Sequence, residues 1–180
     1  MTLHGKAGVG IVGTGFMGWV HAEALRRINV PIAGVLGSTT EKSRQAARDL
    51  KISRSYDDLS SMLADESVTS VHIASPNRLH FEQVKQCLKS GKHVLCEKPL
   101  ALSSAESAEL VSLASQFPNL VTGVNYNIRF YPLCVESRSR VLSGEIGAIR
   151  HITGSYTQDW LSRETDYNWR VLSSEGGELR

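Results

Sequence analysis

The sequence predicts an α/β fold, a doubly wound parallel sheet followed by the start of an α+β domain. Two observations carry this. Short apolar runs alternate with longer segments of helical period as far as Asn125, as βαβ units require. A G-x-G-x-x-G turn, Gly13 to Gly18, stands where the first apolar run ends and the first helical segment begins.

Taken in order, Gly8 to Gly13 reads as a strand, Phe16 to Arg27 as a helix, Pro31 to Leu36 as a second strand, and Thr40 to Leu50 as a helix. Ile52 to Tyr56 reads as a short strand and Asp57 to Ala64 as a helix capped by Asp57. Ser70 to Ala74 has the make-up of a buried strand, and Arg78 to Ser90 is helical with Gly91 as its C-terminal stop. His93 to Cys96, a helix from Ser103 to Gln116 capped by Ser103, and a strand from Leu120 to Asn125 complete the alternation. Beyond it Pro132 and Gly144 flank a helix, and Ala148 to Thr157 alternates as a half-exposed strand does. The boundary is placed near Gly123, giving domains over residues 1–123 and 124–180.

The composition, 41% hydrophobic and 21% charged, is that of an ordinary globular protein. A net charge of +2 with scattered basic residues argues against nucleic acid as a partner. Cys87, Cys96 and Cys134 lie far apart with no clustered histidines, so neither a disulfide framework nor a metal site is expected. The first apolar stretch is too short for a signal peptide, and no later one approaches the roughly 18 residues of a membrane span. A cytoplasmic protein without a membrane partner is therefore expected.

In the glycine turn each position has a physical task. Gly13 allows the tight turn, Gly15 lets a pyrophosphate approach the backbone, and Gly18 lets helix and strand pack closely. The N–H groups of the first helical turn, over Gly15, Phe16 and Met17, would meet the phosphates, aided by the helix dipole. The reading is a Rossmann-type dinucleotide fold. After the second strand, where a carboxylate commonly binds the ribose of NAD, this chain has Gly37-Ser38-Thr39-Thr40. Without a carboxylate a 2′-phosphate is not repelled, and Ser38, Thr39, Lys42 or Arg44 can bind one, so NADP is favoured over NAD. The same residues also suit an ordinary cap for the next helix.

Two further segments close strands: Ser75-Pro76-Asn77-Arg78-Leu79-His80 and Glu97-Lys98-Pro99. With the glycine turn they fall in order on successive strand ends, where open α/β sheets bind their ligands. This pattern resembles the Gfo/Idh/MocA family of NAD(P)-dependent oxidoreductases, and the likeness runs along essentially the whole chain. Pro76 and Asn77 would line the nicotinamide side. His80 would start the helix behind them, either touching the cofactor or satisfied by a neighbour. Glu97 is a candidate cofactor contact and can hold Lys98 in place as an ion pair. By the resemblance Lys98 would be catalytic, donating to a substrate hydroxyl and, if desolvated, moving its proton. The Lys98–Pro99 bond is a candidate for cis, which costs an X–Pro bond only about 0.5–1 kcal/mol.

The resemblance continues through Asn125, Arg129, the segment Gly144-Glu145-Ile146-Gly147 and Asn168-Trp169-Arg170, which look like the start of the family's substrate domain. Arg129, Trp169 and Arg170, with Tyr156 and Trp160, suit a sugar or polyol substrate, although both tryptophans also suit a core. Family members follow a glycine-rich stretch like Gly176-Gly177 with an Asp and a His beside the lysine; this chain ends at Arg180, at about half the family's usual length. The expectation is therefore a dehydrogenase or reductase for sugars, cyclitols or related polyols, whose 180-residue chain binds a dinucleotide but turns over substrate poorly or not at all, and which is prone to form a homo-oligomer. The competing reading is a catalytically silent NADP(H)-binding or oligomerisation module.

Overall fold

The computed structural model describes residues 7–168 and 171–172. The chain divides into two compact units, Met1–Asn125 and Tyr126–Arg180, so the first ends just beyond Gly123.

The first unit is a five-stranded, wholly parallel sheet in the order β2-β1-β3-β4-β5, from β1 (Gly8–Val12), β2 (Ile32–Leu36), β3 (Val68–Ile73), β4 (His93–Glu97) and β5 (Thr122–Asn125). Helices α1 (Phe16–Arg27), α2 (Thr40–Asp49), α3 (Leu59–Ala64), α4 (His80–Lys89) and α5 (Ser104–Ser115) connect the strands. Because side chains alternate across a strand, β1 sends Val9 and Ile11 to one face and Val12 to the other. Val9 and Ile11 pack with Ala22 and Leu25 of α1 and Ala47 of α2. Val12 joins Met62 of α3, Val84 and Leu88 of α4 and Leu110 of α5 on the opposite face. The two apolar layers are what the buried strands of a doubly wound sheet need.

Local chemistry explains where the elements depart from expectation. The stretch from Ile52 to Tyr56 is not a strand but a single parallel bridge, Val35 to Ser55. Its first residue is still leaving α2, since the Ile52 N–H bonds to the Ala47 carbonyl after Lys51 turns at a φ of 50°. Helix α3 is capped by Asp58 rather than Asp57, because Asp58 and Ser61 satisfy each other's backbone N–H groups in a reciprocal box. The helix expected from Arg78 opens as a 3₁₀ turn, Asn77–Leu79, before α4 begins at His80. Ser103 caps α5 as expected.

In the second unit a 3₁₀ turn, Asn127–Phe130, leads into α6 (Pro132–Leu142), none of whose residues is buried. The strand expected over Ala148 to Thr157 is not formed. A lone strand leaves its backbone groups unpaired, and no described residues pair with this one.

Candidate functional site

Strand order changes direction at β1, whose neighbours are β2 on one side and β3 on the other. Connections leave to opposite faces there and open a crevice at the carboxyl edge. The glycine turn fills it. Gly13, at a φ of 108°, lies so close to the end of β3 that a Cβ would collide with the Ala74 carbonyl and stand 2.8 Å from the Ser75 nitrogen. A Cβ on Gly18 would strike the Gly13 carbonyl oxygen, so α1 packs on the turn only because Gly18 has none.

Gly15 differs. A Cβ there meets nothing within 4 Å, so the protein's own packing does not require glycine. Gly15 is also the N-cap of α1 and has no side chain to serve the first N–H groups, and the first turn carries no acidic residue. The helix end is thus an uncapped, carboxylate-free row of donors beneath open space, the arrangement that suits a pyrophosphate. Phe16 and Trp19 flank it, 74% and 51% exposed, with ring centroids 6.3 Å apart.

After β2 the loop is shaped from below by the buried Ser43. Its hydroxyl accepts from the Gly37 N–H at 2.8 Å and donates to the Thr39 carbonyl at 3.1 Å. Thr39 caps α2, its hydroxyl oxygen accepting from the Lys42 N–H at 3.2 Å. Ser38 is exposed beside it. No acidic residue stands between Gly37 and Thr40.

The ends of β3 and β4 are joined through one side chain. His80 is wholly buried, with Nε2 2.9 Å from the Ser75 carbonyl and Nδ1 2.7 Å from the Pro99 carbonyl. Both ring nitrogens are thereby engaged with backbone, so His80 braces the cleft from within and offers no edge to a cofactor. Pro76 and Asn77 are half-buried on the loop it holds. The Lys98–Pro99 bond is cis and Lys98 is exposed.

Glu97 does not pair with Lys98. Neighbouring residues of a strand point to opposite sides, and Glu97, 7% exposed, turns inward under α1. There Oε1 accepts from His21 Nε2 at 3.0 Å and from the Asn125 amide at 2.5 Å. Burial opposes charge on Glu97, but the hydrogen bonds from His21 and Asn125, the charge of His21 and the Lys98 N–H outweigh it and hold the carboxyl below its ordinary value. His21 Nδ1 lies 2.9 Å from His72 Nδ1. Glu97 therefore supports the cleft floor, tying α1 to the ends of β4 and β5.

This buried cluster gives the fold an acid sensitivity of definite sign. Burial, with a smaller contribution from His21, pushes the His72 ring down to about 4. Between the unfolded value of about 6.5 and that point the unfolded chain binds the additional proton, so stability falls as pH falls; His72 alone should remove about 3 kcal/mol. Glu97, whose folded value is depressed, acts in the same direction at lower pH. Urea unfolding at pH values bracketing this window should show the loss, and His72→Phe should flatten it. An equal pH slope in both proteins would refute the assignment to His72.

His21, His72 and Ser43 were not singled out by the sequence patterns. The available signal was a polar residue on a buried stripe: His21 shares the inner face of α1 with Gly18, Ala22 and Leu25. Arg129 lies in the 3₁₀ turn of the second unit and is exposed, as are Tyr156 and Trp160. Trp169 and Arg170 lie outside the described residues, as do Gly176 and Gly177. Among the described residues no group of three or more His, Cys, Asp and Glu side chains is placed to hold a metal ion, and no helix is long and apolar enough to cross a membrane.

Comparison with known proteins agrees with this geometry. A levoglucosan dehydrogenase of Pseudarthrobacter phenanthrenivorans is 32% identical over 179 residues, 94% of this chain and 46% of that protein. An NADP(+)-linked scyllo-inositol 2-dehydrogenase of Bacillus subtilis is 33% identical over 127 residues, 71% of this chain and 38% of its own. A solved structure of levoglucosan dehydrogenase in complex with NADH and levoglucosan superposes with a TM-score of 0.88 at 31% identity, over 95% of this chain and 49% of that one. The chain thus spans less than half the length of these relatives. The model of the oxidoreductase family with an NAD-binding Rossmann fold matches residues 7–126, and with the glycine turn and both strand-end segments inside that span, the chain belongs to the Gfo/Idh/MocA family.

Proposed function

We propose that the first unit holds a nicotinamide dinucleotide across the β1/β3 crevice and that the protein is a dehydrogenase or reductase for a sugar, cyclitol or related polyol. The carrying observation is Gly15, a glycine that no contact within the protein demands, at the uncapped start of α1. The bound dinucleotide would supply hydride transfer between its nicotinamide and a hydroxyl-bearing carbon. The chain's part is to bind, orient and move a proton. Gly15, Phe16 and Met17 present N–H groups to the pyrophosphate. Pro76 and Asn77 wall the crevice beyond it, and Lys98 donates to the substrate hydroxyl and takes part in its proton transfer. Arg129, Trp169 and Arg170 are proposed substrate contacts.

The relatives include both an NADH complex and an NADP(+)-linked enzyme. We favour NADP for this chain, because the exposed Ser38 and the Thr39 hydroxyl stand where an acidic residue would repel a 2′-phosphate. Fluorescence titration should therefore give a lower Kd for NADPH than for NADH, by about tenfold if a single charged hydrogen bond distinguishes them. Equal or tighter NADH binding would show that this loop does not read the phosphate. Incubation of NAD and NADP with levoglucosan, inositols and other polyols, followed at the absorbance of the reduced coenzyme, tests the activity itself.

A homo-oligomer is also part of this reading, supported by the exposed apolar side chains of the second unit, such as Phe130 and Leu133. A cytoplasmic location is supported by three free cysteines; burial pushes the Cys87 and Cys96 thiols up to about 12.

A further inference from the structure

We propose that His80 is a positioning residue that fixes Lys98 and the Ser75–Asn77 loop in one arrangement by holding the Pro99 and Ser75 carbonyls on opposite sides of its ring. Lys98's task rests on the function proposed above; the bracing does not.

The geometry is specific. The two carbonyls belong to separate crossovers, one following β3 and the other following β4, and β3 and β4 are neighbouring parallel strands. Adjacent strand ends in such a sheet hold no ladder bonds beyond the last pair, here Ile73 with Cys96, so the loops above them need another tie. His80 supplies it from the first residue of α4, at contacts of 2.7 and 2.9 Å. A neutral imidazole has one N–H and donates to one of the two carbonyls, whereas the protonated ring donates to both. A second bond from the same helix reinforces the arrangement, since the Ser75 hydroxyl donates to Gln83 Oε1 at 2.5 Å.

The brace also reaches the glycine turn. Ser75 is the residue against whose nitrogen Gly13 is packed, and the Ala74 N–H bonds to the Val12 carbonyl at 2.7 Å. A displacement of the Pro99 carbonyl is therefore felt at Lys98 on one side, and a displacement of Ser75 at the phosphate turn on the other. A buried ring with both nitrogens on loop carbonyls is poorly replaced by an apolar one, which would leave at least one of those carbonyls without its donor.

Two measurements on the 180-residue chain test this with His80→Phe, which keeps the ring's bulk, and His80→Gln, which restores an N–H donor. First, hydrogen–deuterium exchange resolved by peptide should accelerate by about tenfold in residues 75–79 and 98–102 of His80→Phe, the effect of losing about one net hydrogen bond. Peptides of β2 and α2 should be unchanged, and His80→Gln should recover part of the protection. Second, acetylation of Lys98, measured against Lys51 and Lys89 in the same digest, should be slowed by saturating NADPH in the unsubstituted chain. In His80→Phe at equal occupancy that protection should be lost. Unchanged exchange in both loops of folded His80→Phe overturns the proposal, as does full retention of Lys98 protection. If His80→Phe fails to fold, the same readings on His80→Gln decide, with intermediate protection expected and full protection at both loops fatal. Failure of NADPH to protect Lys98 in the unsubstituted chain would count against the proposed place of Lys98 beside the cofactor, while the exchange result would still judge the brace.

Discussion

Gly15→Val is expected to weaken dinucleotide binding by more than about 100-fold while the chain remains folded; the loss corresponds to one or two hydrogen bonds to a charged phosphate, at about 1.5–3 kcal/mol each. Gly15 has φ −79° and ψ −169°, an extended conformation open to any residue, and its Cβ would point into empty space. Packing therefore gives no reason for the fold to fail, and the stability change should stay within about 1 kcal/mol, mostly from a poorer N-cap. The branched side chain would instead occupy the place over the Phe16 and Met17 N–H groups where a pyrophosphate must lie. Gly18→Ala provides the contrast, since its Cβ meets the Gly13 carbonyl oxygen and must move the helix or the turn. That variant should lose stability and binding together. Titration with NADPH, alongside circular dichroism of both variants, separates the cases. Unchanged affinity in folded Gly15→Val would remove the phosphate assignment.

The parallel sheet was legible because each buried strand reads as an apolar run and each connection carries a helical period, with Ser103 supplying a cap where the pattern needs one. The glycine turn was legible because glycines report backbone constraints that act locally in sequence. What failed was non-local or depended on one residue. The Ile52 to Tyr56 stretch has β-prone residues, but α2 unwinds into it and leaves only one bridge. Asp57 and Asp58 are equivalent in type; the reciprocal bond with Ser61 selects the second. Glu97 stands beside Lys98 in sequence, yet the strand pleat turns it toward His21, which is 76 residues away. His80 was legible as part of a strand-end segment but not as a brace, because its partner carbonyl at Pro99 carries no side-chain signature.

Lys98→Met should lower polyol-dependent turnover by about 10²- to 10⁴-fold, the range a positioned proton-transfer group contributes. Methionine keeps much of the length and the apolar stem but can neither donate to a hydroxyl nor accept its proton. Lys98 is exposed on a turn whose next carbonyl, that of Pro99, is held by the buried His80. Its replacement therefore disturbs little packing, and stability should change by less than about 0.5 kcal/mol. Coenzyme binding should also survive, because the proposed phosphate contacts are backbone N–H groups of Gly15, Phe16 and Met17, which the substitution does not touch. The expected signature is a lowered kcat with a coenzyme Kd within about threefold of the unsubstituted chain, which marks a loss confined to the chemical step rather than to ground-state binding. Lys98→Arg should not restore the rate, since guanidinium remains protonated and cannot accept the hydroxyl proton. Turnover of Lys98→Met within about twofold of the unsubstituted chain would show that another group moves the proton. Equal recovery by Lys98→Arg would instead reduce the role of Lys98 to a positive charge beside the substrate oxygen.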